Sequence, residues 1–184
     1  MAEASGVPRI TPLRPEELTD DQRELVGGGP QLNIFLTLAR YPGLLRKWLP
    51  FGGKLLAGGK LSPRDRELII LRTAFRCHAR YEWAQHVAIA GAAGLTSDEI
   101  LRVATGPGDA AWNSDDATLL RAVDELHDDH AVGEATWKSL ASRYGTEQLI
   151  EITMLAGHYA MLAGTLNSLG VQPETADLPG LGAV

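Results

Sequence analysis

The sequence contains a single cysteine, Cys77, among 184 residues. One cysteine forms no disulfide within the chain and does not supply the paired thiolates of a structural zinc site. This use of cysteine is typical of a reducing compartment, so we expect a cytoplasmic protein. The N-terminus has neither the charged nor the apolar part of a signal peptide. No apolar run is expected to be long enough to span a bilayer, and no membrane partner is predicted.

Positive charge is scarce and scattered. The chain has 17 Lys and Arg residues against 23 Asp and Glu residues, for a net charge of -6. Without a basic stripe there is no surface to neutralise a phosphate backbone, so nucleic acid is not an expected partner. Apolar residues make up 45% and charged residues 22%, which is ordinary for a globular domain of this size. We predict no metal and no cofactor.

Helical spacing of apolar residues occurs along most of the chain, and no alternating strand pattern is present. The sequence therefore predicts an all-α, multi-helix bundle. We expect a proline-rich, extended N-terminal arm over residues 1–18, a single helical domain over 19–170, and a poorly ordered C-terminal tail over 171–184.

Capping residues, glycines and prolines predict where the helices begin and end. Thr19 is expected to cap a short helix that the glycines from Gly27 stop. Residues 33–56 are expected to form two or three helices kinked at Pro42 and Pro50. Ser62 and Pro63 begin the next helix, and a break is predicted over residues 76–80. Further helices are predicted at 81–93, 96–104, 114–130, 133–143 and 146–169.

The candidate chemistry lies on the central pair of these helices. Glu82 and His86 are four residues apart, so they share one face of a helix, where a carboxylate and an imidazole influence each other's protons. If the break near Cys77 folds the two helices together, Glu67 reaches the same place and orients His86 or shares its proton. The same spacing also fits a solvated surface pair, and Glu67 also fits an ion partner of neighbouring arginines.

Two other groups of residues resemble functional sites. Cys77 and His78 suggest a metal pair or a lone nucleophile, but a solitary cysteine is more often a small buried hydrophobe. A denser cluster resembles a metal site but stands at a predicted helix end, where a solvated acidic cap is expected; it comprises His127, His130, Asp124, Asp128 and Asp129.

The stretch from Leu61 to Leu95 begins Ser-Pro-Arg-x-Arg-Glu-Leu, continues Tyr-Glu-Trp-x-x-His and ends Ala-x-x-x-Gly-Leu. It resembles the core of the carboxymuconolactone decarboxylase and alkyl hydroperoxidase D superfamily, and a looser resemblance extends from about Leu44 through Leu169. The resemblance implies an all-helical homo-oligomer, a trimer or hexamer, that acts on a small-molecule substrate.

The redox branch of that family has a glutamate, two cysteines and a histidine. The resemblance places the glutamate at Glu67, the histidine at His86 and the cysteines at Ala79 and Glu82. Without a second thiol the dithiol peroxidase cycle has no chemical basis. The decarboxylase branch is more similar, because it has a glutamate four residues before the histidine. It implies decarboxylation, or a related proton transfer, on a small carbonyl or lactone acid.

In this interpretation His86 transfers the proton, Glu82 tunes the proton affinity of His86, and Glu67 holds the His86 imidazole in position. The expected substrate-binding residues are Tyr81, Trp83, Trp48, Phe51 and Tyr159. A fold does not by itself prove an activity, so a non-catalytic ligand-binding or assembly protein remains the alternative.

Overall fold

The computed structural model describes residues 7–27 and 31–174. Over these residues the chain is all-helical, with a 3-10 turn at Pro15–Glu17, nine α-helices and no strand. The helices are α1 (Asp20–Val26), α2 (Asn33–Leu38), α3 (Pro42–Ala57), α4 (Pro63–Arg76), α5 (Arg80–Ala92), α6 (Ser97–Thr105), α7 (Ser114–Asp129), α8 (Glu134–Arg143) and α9 (Thr146–Leu169). The prediction of an all-α fold is confirmed.

Helix α4 forms the centre of the molecule and packs against α5, α6, α7 and α9. Ser62 caps its first turn, accepting a hydrogen bond from the backbone N–H of Asp65, and Pro63 occupies the first helical position. The run from Leu68 to Leu71 is completely buried, so this helix is enclosed on all sides. A functional side chain on a helix packed in this way is held more precisely than one on a loop.

The predicted break after α4 is a tight reversal. Cys77 ends α4 and His78 adopts a left-handed conformation with φ of 51°. The backbone N–H of Ala79 bonds back to the carbonyl of Ala74, and α5 begins at Arg80. This reversal lays α5 against α4, the arrangement that the candidate site requires.

Residues 33–57 form two helices and not three. Pro42 begins α3, where its missing N–H is harmless, as predicted. Pro50, by contrast, lies inside α3 without ending it. Burial of Leu45 and Leu55 on either side of Pro50 keeps the helix together, so tertiary packing outweighs the lost hydrogen bond.

The described part of the N-terminal arm lies on its own chain. The backbone N–H groups of Arg9 and Ile10 donate to the carbonyl of Leu169 at the end of α9, and that of Leu13 donates to Leu36. The first six residues of the expected arm, the glycine-proline stop at 28–30 and the tail from 175 onward lie outside the described residues.

The acidic cluster at the end of α7 is partly structural. Asp124 binds the guanidinium of buried Arg72 through two hydrogen bonds of 2.7 and 2.9 Å. Asp128 pairs with Arg76. The prediction of a solvated acidic cap is therefore wrong for Asp124, because the cations of α4 lie directly opposite it.

Helix α9 is long and apolar enough to cross a membrane by length and composition alone, contrary to the expectation from the sequence. Half of its most apolar stretch is buried inside the protein. Core helices have the same composition, and α9 also carries buried Glu151 and His158.

Candidate active site

Glu67 and His86 form a buried pair between α4 and α5. Nδ1 of His86 lies 2.7 Å from Oε2 of Glu67, and neither side chain is more than a few per cent exposed. The second carboxyl oxygen of Glu67 accepts a hydrogen bond from Nε of Arg66 at 2.9 Å. A carboxylate held by a guanidinium accepts from the imidazole, so Nδ1 carries the proton and Nε2 is left for a ligand.

Glu82 lies one turn before His86 on α5 and is 2% exposed. No group in the described part of the chain forms a hydrogen bond with either of its carboxyl oxygens. Burial raises the pKa of the Glu82 carboxyl well above its usual range. The expected pairing of Glu82 with His86 is absent, and Glu82 faces the neighbouring cavity in an environment that disfavours its ionised form.

The cavity has a volume of about 200 Å³ and is walled mainly by apolar side chains. These come from α2, α3, α5 and α9 and are Ile34, Phe35, Leu49, Leu56, Ile89 and Leu162. A volume below the roughly 300–1,000 Å³ of typical ligand sites indicates a small ligand.

A few polar groups interrupt this apolar wall, among them Glu82, His86, Trp48, His158 and Tyr159. The imidazole of His158 stacks on Trp48, with ring centroids 5.8 Å apart. Tyr159 meets the imidazole of His86 edge to face at 5.1 Å. The rings thus fix one another's orientation around the cavity.

Glu174 ties the beginning of the C-terminal tail to two further lining residues. Its carboxylate accepts hydrogen bonds from the hydroxyl of Tyr81 at 2.8 Å and from the side-chain amide of Gln85. The same carboxylate accepts from the backbone N–H of Asn33 at 2.7 Å. These contacts join α5, α2 and the tail beside the cavity.

Most of the residues predicted from the sequence meet at this site. Glu82, His86, Tyr81, Trp48 and Tyr159 line the cavity, and Glu67 supports His86 from α4.

Two predicted residues do not line it. Trp83 is completely buried in the main core, with Phe75 at a centroid distance of 6.4 Å, because it lies on the opposite face of α5 from the cavity. Phe51 contacts the edge of His158 but lines an adjacent groove.

Sequence reasoning missed His158 as a site residue. It lies next to Tyr159, and burial lowers the pKa of its imidazole, which keeps it neutral. The sequence signal that could have identified His158 is its position as a lone histidine among the apolar residues of α9. Its Nδ1 has no hydrogen-bond partner among the described residues.

Cys77 lies outside this site. Its sulfur is 3.7 Å from Nδ1 of His127, and burial raises the pKa of the thiol. His127 and His130 line a separate small cavity. The described residues contain no cluster of three or more side chains able to hold a metal ion.

Comparisons with known proteins agree with this architecture. Residues 42–125 match the model of the carboxymuconolactone decarboxylase family. The fold resembles that of an uncharacterised peroxidase-related protein with an alkylhydroperoxidase AhpD core from Ralstonia eutropha, at 22% identity and a TM-score of 0.80. That match covers 91% of this chain and 93% of the other. No curated protein matches the chain in sequence.

Two further solved structures share the fold. A peroxidase-related protein from Silicibacter has 18% identity and a TM-score of 0.76, with 97% of this chain and 96% of the other covered. A putative antioxidant defence protein AhpD of unknown function from Agrobacterium tumefaciens has 16% identity and a TM-score of 0.69, with 75% and 95% covered. These likenesses show that the chain has an AhpD-like fold, and the family match covers a little under half of its length.

Proposed function

We propose that this protein is an acid–base enzyme that moves a proton to or from a carbon atom of a small carbonyl compound, either in a decarboxylation or in a related proton transfer. The observation that carries the proposal is the convergence at one apolar cavity of the Glu67–His86 pair and Glu82, whose carboxyl group has no hydrogen-bond partner among the described residues. Paired titratable groups in contrasting environments are the usual means of acid–base chemistry near neutral pH.

The contacts of each residue support a role for it in this chemistry. Nε2 of His86 accepts the proton as the C–H bond beside the carbonyl breaks, and the electron pair moves onto the carbonyl oxygen. Glu82, as a neutral acid, donates a hydrogen bond to that oxygen and stabilises the developing negative charge. Glu67 acts through His86 as a positioning residue. Return of the proton to carbon completes the cycle without an oxidant or reductant.

A dithiol peroxidase, which the names of the structural relatives suggest, is disfavoured. The chain has one cysteine, and thiol–disulfide exchange requires an attacking thiol and a resolving thiol. A ligand-binding protein without catalysis remains the second candidate, because an apolar cavity by itself serves binding equally well.

Solvent deuterium exchange at carbon separates these two. The protein is incubated in D₂O with small ketones and lactones, and loss of the α-proton is followed by NMR. We expect the wild type to accelerate exchange and His86→Gln to lose about 10²–10⁴-fold of that acceleration. His127→Gln, which alters a histidine outside the cavity, is the matched control. Equal exchange by wild type and His86→Gln would favour the binding protein.

We also propose that the protein is a cytoplasmic homo-oligomer, as the superfamily resemblance implies. Large apolar side chains at the start of α3 and on α9 are exposed and line a shared groove; they include Leu44, Met161 and Tyr41, the residue just before α3. Exposed apolar patches of this kind mark interaction surfaces. Light scattering coupled to size exclusion gives the mass, and Leu44→Glu is expected to reduce it.

A further inference from the structure

The charge around the cavity restricts its ligand. Among the described residues that line it, none is a lysine or an arginine. Arg66 is nearby in the structure but bonds to Glu67 and is not part of the lining. Any positive charge on His86 is offset by the Glu67 carboxylate, which lies 2.7 Å from it.

A carboxylate ligand would therefore lose its hydration without gaining a cation. Removing an ionised group from water costs several kcal/mol unless a charged or multiply hydrogen-bonded partner replaces the solvent. Burial also keeps His158 neutral by lowering its pKa, so this second imidazole does not supply the missing charge. The cavity therefore disfavours the binding of small anions.

The same wall offers neutral hydrogen-bonding groups. Seven buried side-chain atoms have no partner in the described structure, and four of them belong to residues that line this cavity. They are both carboxyl oxygens of Glu82, Nε1 of Trp48 and Nδ1 of His158. Buried polar atoms in a folded protein almost always have partners, so this concentration points to a ligand that supplies them.

The chemistry of these atoms indicates what the ligand presents. The indole N–H of Trp48 only donates, and the neutral acid of Glu82 donates through its O–H group. Two donors suit one carbonyl oxygen, which has two lone pairs. The surrounding apolar wall suits a hydrocarbon body.

On this basis, and resting on the acid–base function proposed above, we propose that the ligand is an uncharged carbonyl compound with an apolar body. Ketones, esters and lactones belong to this class, and carboxylic acids in their ionised form do not. Trp48 is then a specificity-determining residue that binds the carbonyl oxygen together with Glu82. Because a neutral substrate has no carboxylate to lose, the reaction is a proton transfer between carbon and His86 and not a decarboxylation.

Binding of a matched pair of probes tests the proposal. Phenylacetone is neutral, and 4-(2-oxopropyl)benzoate is the same ketone with one carboxylate added. Both are titrated at pH 7 into the full-length protein by ligand-observed NMR. We expect phenylacetone to bind at least about tenfold more tightly. Equal or tighter binding of the benzoate, or no binding of either probe, would overturn the assignment.

Trp48→Phe tests the role of the indole N–H, because it removes this donor and keeps one aromatic ring at the position. We expect affinity for phenylacetone to fall about 3- to 10-fold, the size of one hydrogen bond, and affinity for propylbenzene to remain as in the wild type. Propylbenzene lacks the carbonyl, so a loss for both probes would indicate altered shape and would overturn the role of Trp48.

The proposed ligand class and the proposed reaction can be refuted independently. A preference for phenylacetone without His86-dependent deuterium exchange would refute the acid–base function and leave the ligand class intact. His86-dependent exchange with a preference for the benzoate would refute the ligand class alone.

Discussion

Nδ1 of His86 lies 2.7 Å from Oε2 of Glu67, and this contact decides which imidazole nitrogen faces the cavity. Because the Glu67 carboxylate is also held by Arg66, it acts as a hydrogen-bond acceptor with a fixed position. His86 therefore reaches the ligand through Nε2 only. The orientation of the proposed proton carrier depends on a residue that the ligand does not contact.

Glu67→Gln tests this dependence. The glutamine amide donates as well as accepts, so it permits the opposite tautomer of His86. We expect kcat for α-proton exchange to fall about 10²–10⁴-fold with little change in KM. Asp128→Asn alters a carboxylate outside the site, paired with Arg76, and is expected to retain the kcat of the wild type. A matching loss in Asp128→Asn, or a loss confined to KM, would contradict the positioning role.

Glu82 and Glu151 allow a matched test of stability, since both are buried but only Glu151 has hydrogen-bond partners in the described part of the chain. Glu151 accepts hydrogen bonds from the backbone N–H groups of Lys60 at 2.6 Å and Leu61 at 3.5 Å. We expect Glu82→Leu to stabilise the protein by about 1–3 kcal/mol at pH 7, and Glu151→Leu to destabilise it by a similar amount. Urea unfolding measures both, and a destabilised Glu82→Leu variant would indicate that Glu82 has a structural partner.

The stabilisation by Glu82→Leu is expected to depend on pH. The folded-state pKa of Glu82 is raised by burial, so the folded protein binds a proton that the unfolded chain releases. Stability of the wild type therefore falls as the pH rises above the unfolded-state value of about 4.5 towards the raised folded-state value. The difference between wild type and Glu82→Leu should widen over that range. A difference independent of pH would show that Glu82 has the same pKa in the folded and unfolded states.

Glu99 should show the opposite pH dependence. Its hydrogen bond with Arg64 is the largest cause that lowers the pKa of Glu99 to about 2. The stability it contributes is present above about 4.5 and is lost as the pH falls towards 2. Glu99→Gln should cost about 1 kcal/mol at pH 7, allowing for solvent screening of a partly exposed pair, and little at pH 2. Glu134→Gln, in an exposed pair with Lys138, is the control and should change stability little at either pH.

Gly59 lies against the buried carboxyl group of Glu151. A Cβ atom at this position would be 1.8 Å from Oε1 of Glu151, so Gly59→Ala must displace a side chain that holds the loop before α4. We expect a loss of about 1–3 kcal/mol in urea unfolding. A Cβ atom added at Gly91, inside α5, would meet no described atom within 4 Å beyond its own helix backbone, and Gly91→Ala should instead stabilise by about 0.5–1 kcal/mol. An unchanged Gly59→Ala variant would mean that Glu151 moves freely.

Helix ends were predictable from the sequence because local chemistry sets them. Thr19 and Thr96 form capping boxes with the residues three positions later, as their sequences predict. Pro50 was not predictable in the same way. Its local effect is to break a helix, and only the packing of α3 against its neighbours decides that the helix continues.

The sequence by itself determined which side chains share a face. The spacing of Tyr81, Glu82 and His86 along α5 places them on one side, and the apolar run of α4 makes it the central helix. Motif resemblance added Glu67, on a different helix, to the same set.

Only the tertiary structure decided which of these residues touch and what surrounds them. Glu67 bonds to His86, but Glu82 has no partner among the described residues; periodicity fixes direction around a helix axis and not distance to another helix. Likewise the face of α5 that turns to the core, and with it the burial of Trp83, depends on how α4 packs. His158 joins the site because α9 crosses beside α3 and α5, a long-range arrangement that no local pattern encodes.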